Sequence, residues 1–350
     1  MKVRDDLGDL EGYHSPQVDV AVRLNTNESP YPPPDAWRAA LLDELSSLPF
    51  HRYPDRQAAE LRQTIGELHG VGSEQVLAAN GSNEVIQAVC LAFGGPGRSA
   101  AVFKPTYLMH SHIARITGTP VVEGERGPDF ALDMGEVERV VGGQQPAITF
   151  LCSPNNPTGM PEPPEAIERV LALGPGLVVV DEAYGQFSPR SAIEQVRDGR
   201  PLVVIRTFSK TWSMAAARLG YVVGPTDLIS AVEGVLLPYH LDSMKQAAGR
   251  LALRFRSEME GRVAMIVEER GRLAAALGEL SVDVWPSEAN FILFRPRAKD
   301  GEKVWEQLLE RSVLVRNCAN WPRLDGCLRV TVGTTVENDA FLAALREVLA

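Results

Sequence analysis

What this chain lacks narrows its chemistry before any motif is read. No apolar run approaches the roughly 20 residues that a membrane-crossing helix needs, and the first ten residues, MKVRDDLGDL, hold no apolar leader core. A cytoplasmic protein without a membrane partner is expected. Cysteine is scarce. Cys90, Cys152, Cys318 and Cys327 show no C-x-x-C spacing, which excludes a disulfide scaffold and a structural zinc knot and leaves buried free thiols as the expectation. Positive charge is in deficit: the net charge is −10 and no Lys/Arg block occurs, so a general nucleic-acid surface is excluded. Any anion must be held by a local cluster. Neither G-x-G-x-x-G nor G-x-x-x-x-G-K-[ST] is present, which removes the usual nucleotide loops. His110 and His112 flank a serine, but no third ligand accompanies them, so both read as packing or surface residues and no metal site is expected.

What is present is an ordinary globular composition, 45% hydrophobic and 23% charged over 350 residues, long enough for two domains. The stretch Pro201 to Gly224 organises the rest. Leu202–Ile205 reads as a strand buried on both faces and gives way to Thr207, Ser209 and Lys210. A second apolar run, 219–223, starts directly after Arg218, too soon for a helical crossover, so an antiparallel neighbour is expected. Two cations crowded among hydroxyls between apolar strands suit an anion better than a core.

Earlier in the chain, strand-like runs alternate with helical ones. Residues 1 to about 35 are rich in Pro, Asn and Asp and read as an extended arm. Asp55 is the expected N-cap of the helix holding Leu61, Ile65 and Leu68. The run 76–79 stops at Asn80-Gly81-Ser82-Asn83 and feeds a helix, whose N-terminus is a candidate phosphate cradle. The strand from Ser99 ends before Tyr107, and Asp133 with Glu136 resembles a capping box. Strand 147–152 ends at Asn155-Asn156, and strand 177–180 ends at Asp181 with Tyr184. This alternation indicates a doubly wound α/β sheet, in which ligands bind beyond the carboxyl ends of the strands. Tyr107, Asn156, Asp181, Tyr184 and Lys210 then converge over one edge. Singly, each has an ordinary explanation as core, turn or cap; their order together does not.

With those residues in place, S-P-N-N-P-T-G, D-E-A-Y, S-K and A-R-L-G-Y resemble the pyridoxal-phosphate aminotransferases of fold type I. L-N-x-N-E, R-Y-P-D, N-G-S-N-E and C-L-R-V-T-V-G-T extend the likeness toward the histidinol-phosphate aminotransferase branch. The resemblance implies a mixed, mostly parallel seven-stranded sheet in a large domain (45–242), a smaller α+β domain (243–350) and an N-terminal arm (1–44) that joins the small one. It implies that Lys210 carries pyridoxal 5'-phosphate and moves the substrate proton. Asp181 pairs with the pyridine nitrogen, Asn156 and Tyr184 bond the ring oxygen, and Tyr107 stacks on the ring. Ser82, Asn83, Thr207, Ser209 and Arg218 hold the phosphate, with Tyr53 supplied by the other subunit of a homodimer.

Arg329 and Arg316 are implied to clamp the carboxylate of glutamate or 2-oxoglutarate and the phosphate of histidinol phosphate. Tyr13 and Asn27 reach the same pocket from the arm. The chain departs from the family pattern at Ala215-Ala216-Ala217, where relatives often carry glycine, and in the loop 317–326 with its Asn320-Trp321-Pro322. Aromatic-amino-acid aminotransferases and threonine-phosphate decarboxylases are the rival readings within the class. Outside it, the effector half of a transcription regulator needs an attached DNA-binding domain, and a nucleotide module needs the missing phosphate loops.

Overall fold

The computed structural model describes Leu7 and residues 18–350, and within it the alternation of apolar runs becomes two separate sheets. In chain order the elements of the first half are β1 (Val22–Leu24), α1 (Asp35–Ser47), α2 (Ala59–His69), β2 (Val76–Ala79), α3 (Ser82–Phe93), β3 (Ala100–Lys104), α4 (Leu108–Ile116), β4 (Val121–Glu125), α5 (Met134–Val137), β5 (Ile148–Cys152) and α6 (Pro164–Leu173). Then follow β6 (Leu177–Asp181), β7 (Leu202–Thr207), β8 (Gly220–Val223), α7 (Thr226–Glu233), α8 (Ser243–Leu253), α9 (Arg256–Gly278), β9 (Val282–Val284), β10 (Phe291–Pro296), α10 (Gly301–Glu310), β11 (Val313–Asn317), β12 (Leu328–Thr331) and α11 (Thr335–Leu349).

The large sheet has seven strands in the order β2-β8-β7-β6-β5-β3-β4. Only β8 runs against its neighbours, pairing antiparallel with both β2 and β7, as the short connection through Lys210 requires. Strands β6 and β7 are buried along their whole length because alternate residues enter opposite cores. Val178, Val180, Leu202 and Val204 pack on one side. Leu177, Val179, Val203 and Ile205 pack on the other. Helices cover both faces, so the uninterrupted Val/Ile/Leu runs are what a parallel, doubly covered sheet demands.

The second sheet has the order β1-β11-β12-β10-β9. Its outer edge is the arm itself: Val22–Leu24 pairs parallel with β11, so the segment is a strand of the small sheet rather than surface chain. On β12, Leu328 and Val330 enter the core of this sheet, which places Arg329 and Thr331 on the opposite face. Tyr184 and Phe187, from the loop after β6, belong to that same small-sheet core and tie the two sheets together.

Two local expectations need correction. The residue preceding α2 is Ala58 in a left-handed conformation, not Asp55, although Asp55 Oδ2 still accepts the first helical amide, from Ala59 at 2.7 Å. At α5, Asp133 accepts from the Gly135 and Glu136 amides, but the Glu136 carboxylate turns away to the Glu125 amide and Arg139, so the reciprocal half of the box is not made. All four cysteines are buried free thiols.

Candidate active site

A cavity of about 150 Å³ opens where the carboxyl ends of β5, β6 and β7 face the small sheet. Its floor is Asp181, the last residue of β6, only 1% exposed. Asp181 Oδ1 accepts the Ala183 amide at 3.0 Å, and Oδ2 lies 3.0 Å from His110 Nε2. His110 is wedged flat against Phe150, 4.8 Å between centroids, and edge-on to Tyr107. His110 is thus a packing residue, as one of its two expected roles has it, but one that also holds Asp181, a contact the sequence reading did not give it. It sits one helical turn after Tyr107, on a helix that begins where a site-forming strand ends, and that spacing is the signal that could have found it.

Lys210 stands three residues beyond β7. Its ammonium donates to the Thr26 carbonyl at 3.0 Å and lies 5.8 Å from the Tyr184 ring centroid. Desolvation, reinforced by Arg329 and opposed by Glu28, pulls its pKa down to about 7, so the amine gives up its proton far more readily than a solvated lysine. Tyr184 moves the other way: burial raises its phenol to about 12 and keeps it neutral. The phenol oxygen accepts from Asn27 Nδ2 at 3.0 Å and from Asn156 Nδ2 at 3.4 Å, leaving its own proton to donate into the cavity.

At the opposite end the groups are arranged for an anion. Gly81 has φ +85°, and α3 begins at the next residue, so its first amides face the cavity at the positive end of the helix. Arg218 Nη1 donates to Ser209 Oγ at 3.2 Å, and the Ser209 and Thr207 hydroxyls are 3.0 Å apart. Backbone contact is close here: a Cβ on Gly81 would stand 2.9 Å from Arg218 Nη2, and one on Gly220 would stand 2.4 Å from the Ser82 nitrogen. Tyr107 closes the side, its hydroxyl 3.2 Å from Asn83 Oδ1.

The small sheet supplies the roof. Arg329 donates to Asn156 Oδ1 and to the Asn25 carbonyl, and its guanidinium lies 5.1 Å from the Phe291 ring centroid. Both hydrogen-bond partners are neutral, so its charge is not cancelled by them. Asn27 is locked by Thr331, which takes its amide at 3.0 Å and donates to its Oδ1 at 3.1 Å.

Of the residues singled out in the sequence, Ser82, Asn83, Tyr107, Asn156, Asp181, Tyr184, Thr207, Ser209, Lys210, Arg218, Arg329 and Asn27 border this one cavity. Three do not. Arg316 sits directly across from Arg329 in the β11–β12 register but lies over the Trp321 ring, 5.6 Å from its centroid, and it is Trp321 that borders the cavity. Tyr53 is 80% exposed and stacked on Tyr239 at 4.5 Å, away from the cavity of its own chain. Tyr13 lies outside the described residues. Thr26, Cys152 and Trp321 border the site without having been singled out for it. Among the described residues no group of three or more His, Cys, Asp or Glu could hold a metal ion.

Comparison with known proteins agrees with this geometry. The sequence profile described as aminotransferase class I and II matches residues 19–345. The histidinol-phosphate aminotransferase of Streptomyces avermitilis is 44% identical over 99% of this chain and 96% of its own. That of Corynebacterium glutamicum is 41% identical over 100% of this chain and 97% of its own. Among solved structures, the histidinol-phosphate aminotransferase of Sinorhizobium meliloti in complex with pyridoxal-5'-phosphate has the same fold, with a TM-score of 0.89 at 22% identity over 99% of this chain and 97% of that one. An amine of lowered basicity, a buried carboxylate and an anion cradle on a mostly parallel seven-stranded sheet, joined to a family match over nearly the whole length, establish that the chain belongs to the class I and II aminotransferases.

Proposed function

We propose that the chain is a pyridoxal-phosphate-dependent histidinol-phosphate aminotransferase, exchanging an amino group between histidinol phosphate and 2-oxoglutarate to give imidazole-acetol phosphate and glutamate. The observation that carries this reading is the near full-length likeness to curated enzymes of that name, 41–44% identical over 99–100% of this chain and 96–97% of theirs. The donor set fits the cofactor: a carboxylate at the floor for a ring nitrogen, an amine whose pKa is lowered to about 7, and a helix N-terminus with Arg218 and two hydroxyls for a phosphate. When bound, pyridoxal phosphate supplies an aldehyde carbon that takes up the amino group and a ring that accepts the electron pair left when the substrate C–H bond breaks.

The chain's own groups divide the remaining work. Lys210 Nζ, poised near neutrality, would serve as the base that takes a proton from the substrate α-carbon. Asp181, held in one orientation by His110 and the Ala183 amide, would pair with the ring nitrogen. Tyr184 and Asn156 donate to the ring oxygen, with Asn27 fixing the phenol. Arg329 supplies the fork for the phosphate of one substrate and the carboxylate of the other. Its bonds to Asn156 and Asn25 preset that fork, so little reorganisation accompanies binding.

Three further parts of the reading go with it. The chain divides into an arm (1–44), a cofactor-binding unit (45–242) and a small unit (243–350), a division in line with the two sheets, although Ala248, Ala252, Leu253 and Met259 pack in the core of the large sheet. The enzyme works as a homodimer in which Tyr53 reaches the other subunit's phosphate, supported by the exposed Tyr53–Tyr239 stack with Phe50 and Leu237 also exposed nearby in sequence. The reaction runs in the cytoplasm, supported by four free thiols and by the absence, among the described residues, of a helix able to cross a membrane.

The test is a comparison of amine donors. With 2-oxoglutarate as acceptor, histidinol phosphate is expected to exceed phenylalanine in kcat/KM by at least about 100-fold, the scale set by one charge-assisted contact to its phosphate. A preference for phenylalanine would move the chain to the aromatic aminotransferases, and release of carbon dioxide without an acceptor would move it to the decarboxylases.

A further inference from the structure

Both substrates of an aminotransferase use one site, so something must tolerate an aromatic side chain in one half-reaction and a carboxylate in the other. Besides Tyr184, the small-sheet side of the cavity offers an aromatic group, Trp321, from the loop whose sequence departs from the family pattern. Trp321 is half-buried at the cavity's edge, while Arg316, expected there, is withdrawn over the indole at 5.6 Å. The indole is held on its backbone side as well. Trp321 N donates to the Cys318 carbonyl at 2.9 Å, Leu324 N donates back to the Trp321 carbonyl at 3.1 Å, and Cys318 N bonds Cys327 O at 3.0 Å, closing the loop. Below it lies a small apolar cluster containing Leu324, Cys318, Cys327 and Leu293. A loop that only linked β11 to β12 would need no such anchoring.

We infer that Trp321 is a specificity-determining residue: its indole, clamped by Arg316 and seated on the 318–327 cluster, is the wall against which a flat aromatic side chain of the amine donor packs. The inference rests on the reading of the reaction given above. Stacking on the indole favours a ring, imidazole or phenyl, and gives nothing to the short acidic chain of glutamate. Arg329, at the same end, meets the anionic group that both substrates carry. The wall thus discriminates without adding a charge.

The test uses the cofactor-loaded enzyme with Trp321→Ala and Trp321→Phe, measuring kcat/KM of the separate half-reactions for histidinol phosphate, phenylalanine and glutamate. Trp321→Ala is expected to lower both aromatic donors about tenfold and to leave glutamate within about threefold, while Trp321→Phe stays within about threefold for all three. A second reading needs no turnover. Tryptophan fluorescence should be quenched by histidinol phosphate in the parent enzyme, and the change should be largely lost in Trp321→Phe. Equal losses for aromatic donors and glutamate, or no loss at all, overturn the inference. So does an undiminished quench in Trp321→Phe, which decides the matter if the alanine variant does not fold. If the parent enzyme ignores histidinol phosphate, the functional reading fails, yet the contrast between phenylalanine and glutamate still tests the wall.

Discussion

Lys210 pays for its reactivity with stability, and the sign of that exchange can be worked out. Its folded pKa, about 7, lies below the usual lysine value of 10.5, so between these limits the unfolded chain binds more protons and stability rises with pH. Below about pH 7 the penalty is complete; above about 10.5 it has vanished. Replacing the amine by Lys210→Met in cofactor-free protein should therefore raise the melting temperature at pH 6.5, by an amount equivalent to about 2–3 kcal/mol after allowance for solvent in the cavity. Scans repeated upward to pH 10.5 should bring the two proteins together. A second single-residue effect concerns His110, which the sequence reading placed outside the site. His110→Phe keeps the stacking on Phe150 but removes the one hydrogen bond described between Asp181 and another side chain, leaving that from the Ala183 amide, and kcat should drop roughly tenfold with KM little changed. Equal loss in KM would argue for a merely structural role. Asp181 was legible because it closes a strand, and Lys210 and Asn156 because they stand just beyond one; strand ends can be read from apolar runs. His110 was not read as part of the site, because its partner is 71 residues away and the one local signal, its place one turn after Tyr107, fits a core histidine equally well.

Among the elements, the junction of β8 and α3 is the most exacting. Gly220 begins β8 directly beneath the first amide of α3, with room for a hydrogen and not for a methyl. Gly220→Ala should push the helix N-terminus off its position, and cofactor affinity, read from absorbance during dialysis, should weaken by about tenfold or more while the far-ultraviolet dichroism is retained. The antiparallel β7–β8 pair was legible from the shortness of its connection alone. β1 and β9 were not, each being three residues long and paired only at an edge, where neither periodicity nor turn chemistry reaches significance. The β11–β12 loop could be recognised as unusual from its sequence, but its arrangement could not: the withdrawal of Arg316 onto Trp321 is a tertiary preference that spacing does not encode.

Across the whole molecule, the exposed Tyr53 predicts a shared site. If its hydroxyl serves the other subunit, Lys210→Ala and Tyr53→Ala chains, each nearly inactive alone, should regain activity when unfolded together and refolded as mixed dimers. At most one competent site per mixed dimer forms, so about a quarter of parental activity is the ceiling expected from random pairing, a figure that follows from symmetric association. Independent sites would show no recovery.

The arm joins these scales. Strand β1 ends at Leu24, and two residues later the Thr26 carbonyl takes the proton-bearing end of Lys210, with Asn27 on Tyr184 next in line. The edge of one sheet is thus hard-wired to the chemistry over another. Trimming the chain back past Thr26 would accordingly do more than shorten a terminus: it would unseat the amine and the phenol at once, so this enzyme cannot be minimised from its beginning without being disarmed.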